Sequence, residues 1–247
     1  MTTVEGIVLR ERIVGETGKF IDVLTTDFGV IELTAKGARK VNGSIGSAVQ
    51  LFAYSKFCFS EHRKYLIVNS AEPIRIFYGL RESLTRISLA SYFSDVLKFC
   101  IGSEKQPESI MRLALNTLHY LEKGLREESM LKSIFELRLM SETGFMPDVL
   151  ACRNCGGYEP KKIFFSIREG CFFCGDCYCG DGTGGRFISP AVLSAVRHIV
   201  LSDFERLYNF KVSQESMGVL SKLSEEYLLS RTERNFRTLD FYKCIKS

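Results

Sequence analysis

Six of the chain's nine cysteines fall between Ala151 and Gly180, in ACRNCGGYEPKKIFFSIREGCFFCGDCYCG. Cys152 and Cys155 form one C-x-x-C pair, and Cys174 and Cys177 form a second. Each such pair turns tightly enough to offer two sulfurs to one ion. Two pairs at this separation suit a tetrahedral four-thiolate zinc site. Cys171 precedes Cys174 at the same spacing, so Cys171/Cys174 is an overlapping choice for the second pair. Gly175 follows Cys174 as Gly156 follows Cys155, where glycine lets a turn aim its N–H groups at sulfur. Cys179 is a further thiol. Four thiolates close the coordination sphere, and no histidine-rich ligand set accompanies them, so the metal expected here is structural rather than catalytic.

The N-terminal MTTVEGIVLRER carries no signal-peptide pattern. Reduced thiols and a cytoplasmic protein are therefore expected, not a disulfide framework. At 247 residues, 45% hydrophobic and 25% charged, the chain can build one large core or two smaller ones. No apolar run reaches the length of a membrane span. A net charge of +4 permits a nucleic-acid partner without demanding one. The chain has no G-x-x-x-x-G-K-[ST], G-x-S-x-G or H-E-x-x-H motif. A non-enzymatic protein is the expectation.

Residues 1–80 read as strands. Val4–Val14 is rich in β-branched residues, Gly15–Gly18 breaks it, and Phe20–Thr26 follows. Asp27-Phe28-Gly29 is a hairpin-type turn before Val30–Ala35. After a polar loop, Lys36–Gly46, come a long aromatic strand, Val49–Ser60, a charged turn, Glu61–Lys64, and a fifth strand, Tyr65–Ala71. Pro73 closes the region. Five strands with short turns fit a small closed barrel such as the oligonucleotide-binding (OB) fold; a sandwich or an SH3-like barrel has similar counts. Helical spacing follows, in Leu84–Ile101, in a segment opened by Pro107 and ended by Gly124, and in a third helix stopped by Gly144 and Pro147. Beyond the cysteines, Ser189-Pro190 is an N-cap with proline at the first helical position. A last long helix starts near Ser213. The expected architecture is α+β: an OB barrel over residues 1–80, then a helical domain over 81–247 with the cysteine module inserted at about 150–180.

Lys36-Gly37-Ala38-Arg39-Lys40 sets three cations beside small residues, a composition that lets backbone and charge approach phosphate. Arg10, Arg12 and Lys19 are candidates for the same barrel face. A solvated surface loop has the same composition. Aromatic residues of Val49–Ser60 could stack on bases, but barrel core is the favoured reading. The C-terminal cations Arg231, Arg234, Arg237, Lys243 and Lys246 interleave with Phe236, Phe241 and Tyr242. That mixture suits nucleic acid, an acidic peptide tail, or a helix end whose dipole favours cations. His62, His119 and His198 read as surface or satisfied core residues.

Three stretches, EGIVLRERIVGETGKFIDVLTTDFGVIELTAKGARK, FELRLMSETGFMPDVLACRNCG and FRTLDFYKCI, resemble in order and spacing the bacterial recombination mediator family RecO. The resemblance covers nearly the whole chain, with residues 80–130 matching in pattern only and Thr238 standing where serine is common. It implies an OB barrel, then a helical domain with structural Zn2+. It implies binding of single- and double-stranded DNA, annealing of complementary strands, and loading of RecA onto DNA coated by single-strand binding protein. Implied partners are RecR and the acidic, hydrophobic C-terminal tail of that coating protein, at the nucleoid and without a membrane. Carried over by position, Lys36 and Arg39 belong to a basic loop that meets DNA phosphates, with Lys40 and Arg10 as neighbours. The same alignment makes Cys152, Cys155, Cys174 and Cys177 the ligands. Some relatives lack these cysteines, which again suits a structural role. An RNA-binding OB protein with a structural zinc site is the first alternative. A thiol redox or metal-transfer protein, and a protein-binding scaffold, are the others.

Overall fold

A computed structural model describes residues 1–39, 45–104 and 108–246. Two compact units divide the chain: Met1–Lys123 with Phe236–Ser247, and Gly124–Asn235.

In the first unit, β1 (Thr2–Val14), β2 (Gly18–Thr25), β3 (Gly29–Ala35), β4 (Ala53–His62) and β5 (Tyr65–Ile76) close a barrel in the order β1-β2-β3-β5-β4. Every seam is antiparallel except β3–β5, which runs parallel through Leu33↔Leu66 and Thr34↔Ile67. A five-stranded Greek-key barrel of this kind is the OB architecture. Period-two alternation sends Val8, Ile21, Val23, Leu33 and Phe57 inward, all fully buried. Phe59 joins that core, so the aromatics of β4 fill the barrel.

Two strand boundaries differ from the sequence reading. The fourth strand starts at Ala53 rather than Val49, because the chain turns at Phe52, whose φ is +62°. Phe52 is buried, and its N–H donates to the Val8 carbonyl at 2.9 Å. Leu51 lies in the same turn. The fifth strand runs past Pro73 to Ile76. Pro73 pairs with Ser55 at a register shift, and an irregularity is where a strand tolerates a missing N–H.

A 3-10 turn (Tyr78–Glu82) leads to α1 (Leu84–Cys100) and α2 (Glu108–Lys123). Ser83 caps α1 by accepting from the Arg86 N–H. Gly124, at φ +61°, ends α2 as the glycine signal indicated. Pro107 lies outside the described residues.

The second unit contains α3 (Glu128–Glu142), β6 (Ile163–Ser166), β7 (Cys171–Cys174), β8 (Gly185–Ile188), α4 (Pro190–Leu201), the short α5 (Phe204–Leu207) and α6 (Gln214–Thr232). The strands form a small antiparallel sheet in the order β7-β6-β8. Ser189 and Ser213 cap α4 and α6 through the N–H groups of Val192 and Ser216. Between α3 and α6 lies a buried ion network. The Lys132 ammonium, 3% exposed, contacts Glu136 and Glu225 at 2.9 Å each, and the Ser224 hydroxyl donates to Glu136 at 2.6 Å.

The last helix, α7 (Arg237–Lys246), belongs to the first unit and packs on α1. Phe236 fits edge-on between Tyr92 and Phe99, and the Thr238 hydroxyl donates to Asp95 at 2.9 Å. Phe236 and Tyr242 are therefore core residues, while Phe241 stays exposed.

Candidate functional site

The four cysteines of the two pairs come together in the second unit. Their sulfurs all lie within 4.8 Å of one another, with Cys155 and Cys174 Sγ 3.7 Å apart. Four sulfurs about 2.3 Å from a tetrahedral ion stand about 3.8 Å apart, so the donor set and its spacing fit zinc. Local chain geometry makes the cluster. Gly156, at φ +71°, closes the first turn, and its N–H donates to the Cys152 carbonyl at 2.9 Å. The second turn leaves the end of β7, with the N–H groups of Cys177 and Tyr178 donating to the Cys174 carbonyl at 3.1 and 3.0 Å. The Cys174 N–H also donates to Cys152 Sγ at 3.2 Å.

Electrostatics agree with the geometry. Burial opposes ionisation of Cys152, but hydrogen bonds from the backbone around Cys155, Cys174 and Asn154 outweigh it and bring the thiol down to about 6. Hydrogen bonds to Cys174 and Cys155 push Cys177 up to about 12. Without an ion, crowded thiols share their protons in this way; a divalent cation would favour four thiolates. Cys171 stands apart from the cluster. Burial, then the Glu169 carboxylate, pushes it up to about 11. Gly175 does not play the part of Gly156: its φ is not positive, and a Cβ there would meet Lys162 Cβ at 2.8 Å. Glycine at 175 allows close strand approach. Cys179 is exposed and lies outside the cluster.

The barrel carries the second candidate. A cleft of about 550 Å³ opens between the β1–β2 turn, the end of β3 and the β4–β5 turn. OB barrels use the face of strands 2 and 3 and these same two turns to bind oligonucleotides. Val14, Phe20 and Ile67 give the cleft an apolar floor, and Lys36, Arg63 and Tyr65 stand along it. Tyr65 is 55% exposed, so its ring is open for stacking. Lys36 is exposed beside Gly37, whose φ is +70°. This arrangement offers charge to a backbone and a flat ring to a base.

The named cations are not all gathered there. Arg39 is exposed and lines a different cleft. It binds across the β1–β2 turn, its N–H to the Thr17 carbonyl and its guanidinium to the Glu16 carbonyl, each at 3.0 Å. Arg10 is exposed at a bulge in β1 and lines neither cleft. Lys40 falls outside the described residues. Arg12 is ion-paired with Asp22 and Glu32, and Lys19 with Glu11. Arg63, Tyr65 and His62 were missed as site residues because they read as a charged turn and a strand start. The signal was available, since the turn between the fourth and fifth strands of an OB barrel borders its ligand face.

Other flagged residues are structural. Arg231 donates to the carbonyls of Ile167 and Arg168 at 3.0 Å and lies over the Tyr227 ring. His198 Nε2 meets the Arg206 carbonyl at 3.0 Å. His119 Nδ1 lies 2.7 Å from Arg75, and burial and that cation lower its pKa. Among the described residues no helix is long and apolar enough to cross a membrane.

Comparison with known proteins agrees with this layout. Residues 1–77 match the family model described as Recombination protein O N terminal, and residues 81–240 match Recombination protein O C terminal. The chain is 34% identical to the DNA repair protein RecO of Acetivibrio thermocellus, over 97% of this chain and 95% of the relative. It is 31% identical to that of Alkaliphilus metalliredigens, over 98% of each chain. The figure is 28% for Caldicellulosiruptor saccharolyticus, again over 98% of each.

Proposed function

The chain belongs to the RecO family, and from that premise we propose that it is a non-enzymatic mediator in DNA repair and recombination. It binds single- and double-stranded DNA, anneals complementary strands, and helps load RecA onto DNA coated by single-strand binding protein. RecR and the C-terminal tail of the coating protein are its partners, in the cytoplasm at the nucleoid. Residues 1–80 form the nucleic-acid-binding module. The observation that carries this reading is the open cleft on the ligand face of the OB barrel, where Lys36 and Arg63 flank Phe20 and Tyr65.

Annealing needs no nucleotide hydrolysis. It needs cations that neutralise phosphates, so that two strands approach while their repulsion is reduced. Lys36, Arg39, Lys40 and Arg10 supply that charge, and exposed rings accept bases without reading sequence. A net charge of +4 suits a binder that must also release its product.

Cys152, Cys155, Cys174 and Cys177 would hold one Zn2+. The ion supplies a cross-link rather than chemistry. It ties the turn that follows α3 to the end of β7, in a module whose three strands are four residues each. Strands that short bury little core of their own, which makes metal binding part of folding.

The test is a binding titration on single-stranded DNA across salt. Lys36→Glu with Arg39→Glu weakens binding and reduces the log–log salt slope by about 1.4, from about 0.7 per single-strand phosphate contact. An unchanged slope removes this loop from the interface. Stronger binding to RNA than to DNA of equal length selects the RNA-binding alternative.

A further inference from the structure

The β1–β2 hairpin extends beyond the barrel core as a wall with two usable faces. Its closing pairs are Ile13↔Lys19 and Val14↔Gly18, with Gly15 at φ +58° in the turn. Side chains alternate across a strand, so the two faces carry different residues. Val14, Gly18 and Phe20 line the cleft described above. Glu11, Ile13 and Lys19 line a second, wider cleft on the opposite face, of about 1020 Å³. The turn after β3 is shared in the same way: Lys36 lines the first cleft and Arg39 the second.

The second cleft repeats the chemistry of the first. Its charged lining is Lys19, Arg39 and Arg81 against the single carboxylate of Glu11, which Lys19 contacts at 2.6 Å. It too has an open ring, Tyr78, 55% exposed like Tyr65, with Arg81 5.6 Å over its face. Gln50 adds a polar group. Cations beside an exposed aromatic ring are what a single nucleic-acid strand binds, by phosphate neutralisation and by stacking.

We propose that the second cleft is a second single-strand site, so that one barrel holds two strands on opposite faces of the β1–β2 hairpin. The inference rests on the nucleic-acid-binding reading of the first cleft and adds the place of the partner strand in annealing. Two backbones are held close without contact, separated by a wall one strand thick, and they meet at its tip, Gly15–Thr17.

The experiment uses the full chain, one donor-labelled and one acceptor-labelled oligothymidylate, and energy transfer as the readout. The two strands cannot pair, so transfer reports co-occupancy. Wild type is expected to bring both labels together at limiting protein. Lys19→Gln with Arg81→Gln is expected to leave the first binding event in place and to weaken the second. Its salt slope for the second event falls by about 1.4, which is about sevenfold less loss of affinity between about 50 and about 200 mM salt. Arg81 also donates to the Leu51 carbonyl at 2.9 Å, so Ile13→Glu is a second variant. That residue is 67% exposed, and the change puts a carboxylate into the cleft without removing packing. It too should weaken only the second event. One strand bound with no co-occupancy overturns the proposal and leaves the binding reading standing. Co-occupancy unchanged in both variants, or rising with excess protein as bridging by two molecules would, overturns it equally. Absence of any nucleic-acid binding overturns the reading itself.

Discussion

Lys132→Met tests whether the ion network between α3 and α6 holds the second unit together. Lys132 is 3% exposed and Glu136 is fully buried, so neither is solvated. The ammonium meets Glu136 and Glu225 and donates to the Ser221 carbonyl at 3.3 Å. Methionine keeps the volume and removes the charge, which leaves the Glu136 carboxylate buried without its cation. Losing one partner of a buried pair costs about 3–5 kcal/mol. Lys132→Met with Glu136→Leu removes both charges. Glu225 can turn to solvent, and the Ser224 hydroxyl keeps the Ser221 carbonyl at 3.2 Å as a partner. The double variant should therefore cost only about 1–2 kcal/mol, within the usual range for hydrogen bonds lost on burial. The assay is a urea titration read by hydrogen exchange in α3 and α6 peptides. With a slope of about 2 kcal/mol per molar, the single variant moves the midpoint down by about 2 M, and the double variant by less than about 1 M. Equal or additive losses refute the reasoning, since a non-additive cycle is the signature of a coupled pair.

Further outcomes follow from the same structure. Purified protein should carry one zinc per chain, and Cys152→Ser or a strong chelator should lower the melting temperature of the second unit; protein without metal that a chelator leaves unchanged removes the zinc assignment. In metal-loaded protein, alkylation followed by mass spectrometry should label exposed Cys179 and Cys244 first, and exposed Cys155 only after chelation. Gly29→Ala should destabilise the barrel by more than about 1 kcal/mol, because φ is +59° and the new Cβ would stand 1.9 Å from the Gly102 carbonyl oxygen. A thermal melt within error of wild type contradicts that account.

Much of the fold was legible because its signals are local. Alternation marked the barrel strands, and Ser189-Pro190, Ser213 and Gly124 marked helix ends with residues suited to capping geometry. The misplaced boundaries have a common cause. Phe52 takes a left-handed backbone conformation that no sequence rule assigns to phenylalanine, and Pro73 survives inside a strand because a register shift on β4 receives it. Both depend on the partner strand. The cysteine cluster was readable from spacing, but the choice of Cys177 over Cys171 was not. That depends on Cys171 pointing toward Glu169, with Sγ and the carboxylate 3.9 Å apart. The site in the barrel was half legible. Lys36 and Arg39 were named from the loop, while their separation onto two faces, and the contribution of Arg63 and Tyr65, follow from barrel closure between segments distant in sequence. The C-terminal cations were the least legible, because Arg231 looks like a binding residue until the Ile167 and Arg168 carbonyls are placed beside it.

The most direct measurement is ATP-independent annealing of complementary strands, one of them coated with single-strand binding protein, for wild type and Lys36→Glu/Arg39→Glu. Rapid annealing by wild type that collapses in the variant is the predicted result. Binding of nucleic acid by wild type without annealing would contradict the mediator reading.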